Sequence, residues 1–340
     1  MLTPPHAPVL TVTLNPALDV THHVARLHPG REHRPDRVHA RAGGKGVNVA
    51  RVLHLLGVPV IALAPVGGST AHGWHADLAA AGVPAEVVPI AGETRRTVAV
   101  VEDDGRTTGL WEPGPRLTAD EWHAVTDRLG HLARRASVVV LSGSLPGGLP
   151  TDAYAELVHR CHEAGAPVVL DTSGPALRAG IAARPDLVKP NATELADYRR
   201  PERPGTADGP EAATAATPGA VARDAALLLD AGAAAVAASR GADGMTLLAD
   251  GRAWHAAPPA VVRGNPTGAG DAAVAALACG LALGTPWPER LRQAVALSAA
   301  AVASPLAGDV SPALFAELLA RTTVGDTGPL PPRTPGAPRP

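Results

Sequence analysis

Short apolar runs rich in strand-forming residues alternate along the chain with segments of helical periodicity, and this alternation dictates an α/β fold. The strand-like runs cover residues 9–14, 60–66, 138–141, 168–171, 186–189 and 234–239. The helical segments cover residues 47–56, 71–81, 118–136, 151–164, 221–230, 271–283 and 289–303. Strands that alternate with helices form βαβ units, so we predict a mostly parallel sheet.

Two segments, 20–42 and 94–112, do not fit this core pattern. Both alternate loosely between polar and apolar residues, and the second contains the turn sequence Asp103-Asp104-Gly105, which predicts a hairpin. We therefore expect a small second sheet that covers one edge of the core.

Length and composition indicate one large domain. At 340 residues, of which 46% are hydrophobic, the chain can bury a sizeable core, and we assign residues 1–322 to a single domain. Residues 201–220 are a low-complexity stretch of Pro, Gly, Ala and Thr, which predicts an exposed loop. The Pro/Gly-rich residues 323–340 predict a disordered tail.

The charge balance and cysteine content exclude several classes of protein. Charged residues make up 18% of the chain and the formal net charge is −2, which leaves no basic surface for nucleic acid or an acidic membrane. Two cysteines, Cys161 and Cys279, are too few for a disulfide framework or a cysteine-rich zinc site. The N-terminus lacks the features of a secretory signal and no apolar stretch is long enough to span a bilayer, so we expect a cytoplasmic protein.

Lysine is almost absent, although arginine is common. Only Lys45 and Lys189 stand against 28 arginines. A composition rich in arginine and alanine is the ordinary result of genomic base bias, and under such a bias a retained lysine is informative. Both lysines lie inside motifs that bear on function.

The first motif is Gly43-Gly44-Lys45-Gly46, which immediately precedes a helical segment. Glycines let the backbone approach a ligand closely, and a helix N-terminus offers unpaired N–H groups to an anion. The same residues would also fit a plain glycine-rich turn with a solvated lysine, so the motif alone leaves both interpretations open. Neither a Walker A loop nor a dinucleotide-binding fingerprint is present.

The second motif, residues 265–271 (NPTGAGD), is far more specific and lies directly before an apolar helix. The N–H groups of Gly268, Ala269 and Gly270 can converge beside the positive end of the helix dipole, forming an anion hole. Asp271 lies at its mouth, where a carboxylate can accept a proton from an attacking hydroxyl. The plain alternative is that Asp271 only caps the helix.

Together, residues 43–51 (GGKGVNVAR) and 265–271 resemble the two signatures of the PfkB/ribokinase family of carbohydrate kinases. Further segments resemble, in the same order, its 1-phosphofructokinase and tagatose-6-phosphate kinase branch: TLNPALD at 13–19, TR at 94–95, EPGP at 112–115, LSGSLP at 141–146, VKPNATE at 188–194 and SRGADG at 239–244. The match is collinear over residues 9–305. It implies a ribokinase-like three-layer α/β/α core with a small β-sheet lid formed by 20–42 and 94–112.

The resemblance also implies a role for each residue that matches a motif of the family. The residues matched to the sugar are Asp19, Gly43, Gly44, Lys45, Asn48 and Ser144, and those matched to a phosphate already on the sugar are Arg95 and Arg34. The residues matched to the nucleotide are Lys189, Asn191, Glu194, Ser239, Gly241 and Gly244, with Glu194 also holding Mg²⁺ through water. Asp271 becomes the catalytic base, with Gly268, Ala269 and Gly270 as its anion hole.

These implied roles predict a kinase that uses ATP and Mg²⁺ to convert fructose 1-phosphate to fructose 1,6-bisphosphate. Two departures from the branch leave the sugar open: Thr97 replaces a common asparagine, and Trp111 replaces a small polar residue. The nearest alternative substrates are fructose 6-phosphate and tagatose 6-phosphate, and a non-catalytic sugar-phosphate sensor is a further alternative. As in relatives, we expect the lid to form a homodimer interface.

Overall fold

The computed structural model describes residues 2–199 and 218–330, which contain fourteen strands and ten α-helices. The strands are β1 (Val9–Val12), β2 (Ala17–Val24), β3 (Arg37–Gly43), β4 (Val60–Gly67), β5 (Ala85–Ile90), β6 (Arg95–Glu102), β7 (Thr107–Trp111), β8 (Val138–Ser142), β9 (Val168–Asp171), β10 (Leu187–Val188), β11 (Val236–Ser239), β12 (Met245–Ala249), β13 (Arg252–Ala256) and β14 (Val324–Pro329). The helices are α1 (Lys45–Leu55), α2 (Thr70–Ala80), α3 (Ala119–Ala133), α4 (Ala153–Glu163), α5 (Gly174–Ala182), α6 (Ala192–Arg199), α7 (Pro218–Asp230), α8 (Ala269–Ala282), α9 (Trp287–Val302) and α10 (Pro312–Arg321).

Ten of the described strands form one sheet in the order β14-β13-β12-β11-β10-β9-β8-β1-β4-β5. The seven strands from β11 to β5 run parallel, and three antiparallel strands close the other end. Parallel strands are buried on both faces, which explains their unbroken apolar sequences. The predicted, mostly parallel sheet is therefore confirmed.

Helices cover both faces of this sheet. Alternate side chains of each strand point into two separate hydrophobic clusters; in β8, Val138 and Val140 join one cluster, whereas Val139 and Leu141 join the other. The first cluster is covered by α1, α2, α8, α9 and α10, and the second by α3 to α7. This is the expected three-layer α/β/α core. No helix of the described ranges is long and apolar enough to cross a membrane.

The other four described strands form a separate sheet, called the lid below, in the order β3-β2-β6-β7. Strand β2 pairs antiparallel with β3, and β6 pairs antiparallel with β7, while β2 and β6 run parallel to each other. The lid contains the two segments, 20–42 and 94–112, that the sequence separated from the core. The expected second sheet is confirmed.

The two faces of the lid differ in chemistry. Its register places one residue from each strand in a single row, in the order Arg41, Asp19, Thr97 and Trp111. Side chains alternate across a strand, so this row shares one face, called the polar face below. The opposite, apolar face carries Val20, Val38, Val98, Val100 and Leu110, of which Val38 and Leu110 are 54% and 64% exposed.

The expectation of a disordered tail from residue 323 is wrong for its first part. Strand β14 pairs antiparallel with β13, and an Arg252–Asp326 ion pair joins the two strands. Most residues of β14 are exposed, so this segment carries no alternating apolar pattern. Backbone hydrogen bonds to the otherwise free edge of β13 hold it instead.

The remaining sequence expectations for this region concern residues that are only partly described. Residues 218–220 of the predicted loop begin α7. The rest of the predicted loop and the end of the predicted tail fall within residues 200–217 and 331–340, which lie outside the described residues.

We expect truncation after residue 323 to destabilise the protein, because β13 would lose its edge partner. The lost hydrogen bonds and ion pair should cost about 2–4 kcal/mol, which for a domain of this size lowers Tm by about 3–6 °C. A truncation that removes only residues 331–340 leaves β14 in place and is the control. Equal Tm values for the two truncations would show that β14 adds nothing to the sheet.

Candidate active site

The residues matched to substrate and nucleotide converge at the carboxyl ends of the parallel strands. Ser142 and Asp171 end β8 and β9, while Lys189 directly follows β10 and Ser239 ends β11. Lys45, the first residue of α1, lies beside Asp171, and Gly270 in the first turn of α8 lies beside Lys189, so the N-termini of both helices lie at the same edge of the sheet. Ligands of open α/β sheets bind at this edge, so the topology itself gathers the candidate site.

Both lysines of the chain bind one buried carboxylate, that of Asp171. Lys189 Nζ lies 3.2 Å from Asp171 Oδ1, and Lys45 Nζ lies 3.5 Å from Asp171 Oδ2. Ser142 Oγ donates a hydrogen bond to the same Oδ2 at 3.0 Å. Asp171 and Lys189 are 1% and 4% exposed, so the pair is held away from water.

The opposite charges in this cluster shift the pKa values of Asp171 and Lys45. Burial alone would raise the pKa of Asp171, but Lys189 and Lys45 outweigh burial and hold that pKa below its usual value. Burial would likewise lower the pKa of Lys45, yet the carboxylates of Asp171, Glu194 and Asp271 raise it above its usual value. Lys45 therefore remains available as a positive charge for an anionic ligand.

Asp171 is a site residue that sequence reasoning missed. It belongs to no motif named above, and a single aspartate at the end of a strand carries no spacing pattern. One signal was present: Asp171 closes a strand that was predicted to be buried and parallel, and the carboxyl end of such a strand is where ligand-binding side chains lie.

The structure places Asp271 in the first turn of α8, beside the predicted anion hole. Gly268 precedes the helix with φ 87°, a left-handed conformation that glycine adopts without strain. A Cβ at this position would also lie 2.9 Å from Ala307 Cα. A side chain at residue 268 would thus disturb the turn that aims the N–H groups.

Asp271 is poised as a base. Asn48 Nδ2 donates a hydrogen bond of 2.8 Å to Asp271 Oδ2, which orients the carboxylate. Burial, together with the nearby negative charge of Asp171, raises the pKa of Asp271 to about 6. A carboxyl group with this pKa is mostly ionised at neutral pH and accepts a proton more readily than an ordinary aspartate.

Lys189 also borders the anion hole. Its Nζ lies 3.6 Å from the point where a Cβ on Gly270 would stand. The ammonium group and the N–H groups at the start of α8 consequently face one region. Together they can stabilise negative charge there.

Glu194 is fixed by a reciprocal pair of hydrogen bonds at the start of α6. The Asn191 N–H donates to Glu194 Oε2 at 2.8 Å, and the Glu194 N–H donates to Asn191 Oδ1 at 2.9 Å. Glu194 Oε1 lies 3.8 Å from Lys45 Nζ. This arrangement holds a carboxylate beside the lysine cluster.

The turn predicted to contact the nucleotide lies next to this helix. Asn191 forms a parallel bridge with Ser239 at the end of β11. Gly241 begins the short 3₁₀ turn Gly241–Asp243, and Gly244 follows it. The four residues therefore lie along one border of the site.

Asp19 forms the other end of the site, on the polar face of the lid. Burial raises its pKa, although a hydrogen bond from Thr97 Oγ1 and the charge of Arg95 act in the opposite direction. A Cβ on Gly43 would lie 1.8 Å from Asp19 Oδ2, so a larger residue there would displace the Asp19 carboxylate. Gly44 caps α1 with φ 108° and lets the chain turn from β3 into the helix.

Arg95 lies near Asp19 and is joined to Ser144 through Asn15. Arg95 Nε donates to the Asn15 carbonyl at 3.2 Å and one of its terminal nitrogens donates to the Glu112 carbonyl at 3.3 Å. Asn15 Nδ2 donates to Ser144 Oγ at 3.1 Å. Asn15, inside the matched TLNPALD segment but given no role, is therefore a positioning residue for both.

Arg34 is not brought to this end of the site. It is exposed in the connection between β2 and β3, at the opposite end of the lid strands from Gly43 and Ala17, which are paired in register. Its predicted role beside Arg95 has no support from contacts within this chain.

The family model for "pfkB family carbohydrate kinase" matches residues 13–314, nearly the whole described chain. The chain belongs to the PfkB family. The resemblance to a family of carbohydrate kinases that was found in the sequence is confirmed.

Individual relatives of this PfkB kinase agree with that assignment. A 1-phosphofructokinase of Xanthomonas campestris pv. campestris is 40% identical over 278 residues, which cover 80% of this chain and 83% of that protein. An ATP-dependent 6-phosphofructokinase isozyme 2 of Mycobacterium tuberculosis is 37% identical over 304 residues, covering 87% and 84%. The phosphofructokinase-2 of Escherichia coli in complex with fructose-6-phosphate superposes with a TM-score of 0.80 at 29% identity, covering 92% of this chain and 99% of that chain.

We expect Asp271→Asn to inactivate this PfkB kinase and to stabilise it. The amide cannot take a proton, so kcat should fall by about 10²- to 10⁴-fold. The folded-state pKa of Asp271, about 6, lies above the usual 3.8, so the ionised carboxylate destabilises the fold as pH rises through 6. At pH 8 the variant should gain about 1–3 kcal/mol, or roughly 2–4 °C in Tm.

The stability gain should vanish below about pH 4, where the wild-type carboxyl is protonated in both the folded and the unfolded state. Asp152→Asn is the control, because Asp152 stands at the start of α4 without a side-chain capping bond. Near-normal turnover of folded Asp271→Asn would leave Asp271 as a helix cap and overturn its role as base.

Proposed function

We propose that this enzyme transfers the γ-phosphoryl group of ATP to the 6-hydroxyl of fructose 1-phosphate, forming fructose 1,6-bisphosphate and ADP. The observation that carries the proposal is a cation at each end of one site. Arg95 lies beside Asp19 on the lid side, and the lysine pair lies beside Asp271 on the core side. Such a site suits a sugar that already bears a phosphate.

The lid end supports binding of a phosphosugar. A guanidinium group binds phosphate through two parallel hydrogen bonds, and two backbone carbonyls hold the Arg95 guanidinium in place. An ionised carboxylate accepts hydrogen bonds and donates none, so Asp19 in that form would bind hydroxyl groups of the sugar. A free sugar would give the Arg95 guanidinium no phosphate to bind.

The core end supports the transfer step. The Asp271 carboxylate takes the proton of the attacking hydroxyl as its oxygen bonds to the γ-phosphorus, and the bond from phosphorus to the leaving oxygen of ADP breaks. The N–H groups of Gly268, Ala269 and Gly270, with Lys189 and Lys45, stabilise the charge that spreads over the phosphoryl oxygens. Asn48 keeps the carboxylate aimed during this step.

The carboxylates near the lysines fit a hydrated Mg²⁺ ion. Across the described ranges no three potential metal ligands form a group, and Mg²⁺ is commonly bound by one or two carboxylates with substrate phosphates and retained waters. Glu194, whose Oε1 faces the cluster, would reach such an ion through water. When bound, the ion neutralises charge on the nucleotide's phosphates.

The nearest alternative is phosphorylation of fructose 6-phosphate, as in the name of the Mycobacterium tuberculosis relative. Thr97 donates a hydrogen bond to Asp19, and Trp111 follows it in the row of the polar face. Both residues border the sugar, so they affect which ketohexose phosphate fits. A panel of fructose 1-phosphate, fructose 6-phosphate, tagatose 6-phosphate and fructose, compared by kcat/KM, decides the sugar. Absence of ADP release with all four would favour the sensor.

We expect Arg95→Ala to lower kcat/KM for the preferred phosphosugar by about 10- to 150-fold, because a charge-assisted contact of about 1.5–3 kcal/mol is lost. The KM for ATP should stay nearly unchanged. Arg96→Ala is the matched control, since Arg96 lies on the opposite face of the same strand and points to Thr70. A selective rise in the KM for ATP would move Arg95 to the nucleotide end and reverse the orientation of the site.

We also propose that two copies of the chain pair through the apolar faces of their lids. A contiguous exposed apolar surface marks an interaction site, and Leu110, on the edge strand β7, is 64% exposed. Leu110→Glu should therefore yield monomers in sedimentation velocity, whereas Leu227→Glu, at a 39% exposed leucine of α7, should not. A wild-type protein that sediments as a monomer would refute the interface.

A further inference from the structure

Three consecutive residues between α9 and α10 contact three different parts of the active site. Ala307 packs against Gly268 of the anion hole, with its Cα 2.9 Å from the position of a Cβ there. Gly308 lies beside Asn48, whose Oδ1 is 3.2 Å from the corresponding Cβ position. Asp309 binds Arg41 of the lid. We call residues 307–309 the coupling segment.

The contact between the coupling segment and the lid is bidentate. The two terminal nitrogens of Arg41 donate to the two carboxylate oxygens of Asp309 at 3.1 and 3.2 Å. The side chains are 16% and 38% exposed, so the pair is partly shielded from water. Parallel charge-assisted hydrogen bonds of this kind fix orientation as well as distance.

Arg41 lies on the polar face of the lid, the face that carries the predicted sugar ligand Asp19. It stands next to Asp19 in the row of the polar face, and its charge lowers the pKa of Asp19. The Arg41–Asp309 pair therefore joins the strand beside the predicted sugar ligand directly to the core. A shift of β3 away from the core would have to stretch or break this pair.

The contact between the coupling segment and the core leaves little room for independent movement. Gly268 aims an N–H group of the anion hole, and Asn48 holds the base through its bond to Asp271. A methyl group added to Gly268 would lie 2.9 Å from Ala307 Cα, and one added to Gly308 would lie 3.2 Å from Asn48 Oδ1, so little free space separates the segment from either residue. Displacing Asp309 would consequently loosen the support of the anion hole and of the base together.

We propose that the Arg41–Asp309 pair couples the position of the lid relative to the core to the geometry of the anion hole. Asp309 is then a positioning residue for phosphoryl transfer. The inference rests on the proposed function for its reaction, but the coupling itself is a property of the fold. It has two consequences: Arg41 and Asp309 act as one unit, and loss of either loosens the lid and residues 265–271 together.

A double-mutant cycle of Arg41→Gln and Asp309→Asn tests the first consequence. Each single variant should lose about 10-fold in kcat/KM for the preferred sugar phosphate, because a partly exposed bidentate pair is lost. The double variant should lose no more than either single variant, since residues in one ion pair are non-additive. Losses that multiply in the double variant would overturn the proposal. So would near-normal activity of Asp309→Asn beside a defective Arg41→Gln, which would make Arg41 a substrate ligand acting alone.

Hydrogen exchange of the unliganded full-length protein tests the second consequence without activity. Asp309→Asn should exchange faster than wild type both in residues 37–43 of the lid and in residues 265–271, with little change in Tm. Asp326→Asn, which breaks the Arg252–Asp326 pair between β13 and β14, is the control and should leave both segments unchanged. Faster exchange in the lid alone would refute coupling to the anion hole.

Two further arms keep the result interpretable. Asp309→Glu keeps the carboxylate, so it should recover part of the activity, whereas Arg41→Lys keeps the charge without the planar fork and should not. Equal losses in Asp309→Glu and Asp309→Asn would contradict a role for the ion pair. If wild-type enzyme phosphorylates no ketohexose phosphate, the proposed function fails, while hydrogen exchange still decides the coupling.

Discussion

The ion cluster of Lys45, Asp171 and Lys189 is the interaction on which the arrangement of the site depends. A single buried carboxylate, 1% exposed, joins the end of β9 to the residue after β10 and to the first residue of α1. Because α1 follows directly from β3, the same contact fixes the point where the lid enters the core. An aspartate without these lysines would be an uncompensated buried charge, and the lysines without it would repel each other. The cluster therefore orders the edge of the sheet and gathers both lysines around one buried carboxylate.

The base works within the field of that cluster. Asp171 raises the pKa of Asp271, while Lys45 and Lys189 lower it, and burial is the largest cause of the net rise to about 6. The fold thus retains a carboxyl group in an environment that disfavours its ionised form, which is the form that can accept a proton.

How far the sequence predicted the structure depends on how local each signal was. The α/β core, the lid and Asp271 followed from periodicity and from a seven-residue motif in which neighbours in sequence are neighbours in space. Asp171 was not predicted as a site residue because its partners come from three separate elements and no spacing in the sequence joins them. Strand β14 was not predicted because backbone pairing to the edge strand β13 leaves no apolar pattern in the sequence. The predicted partnership of Arg34 with Arg95 depends on how far the connection between β2 and β3 carries Arg34 from the core, which residue types alone do not specify.

The parallel pairing of β2 with β6 has a consequence for how this kinase can be rearranged. Each half of the lid is a two-stranded antiparallel unit, and such a unit is marginally stable by itself. The halves are separated in sequence by α1, β4, α2 and β5 of the core, yet each supplies the other's only lateral neighbour among the described strands. No single continuous segment of the chain contains the whole lid. Deleting one segment therefore cannot remove the lid, and exchanging one segment with a relative cannot replace it. Any homologous transfer of substrate preference between such enzymes must carry two distant stretches of sequence together.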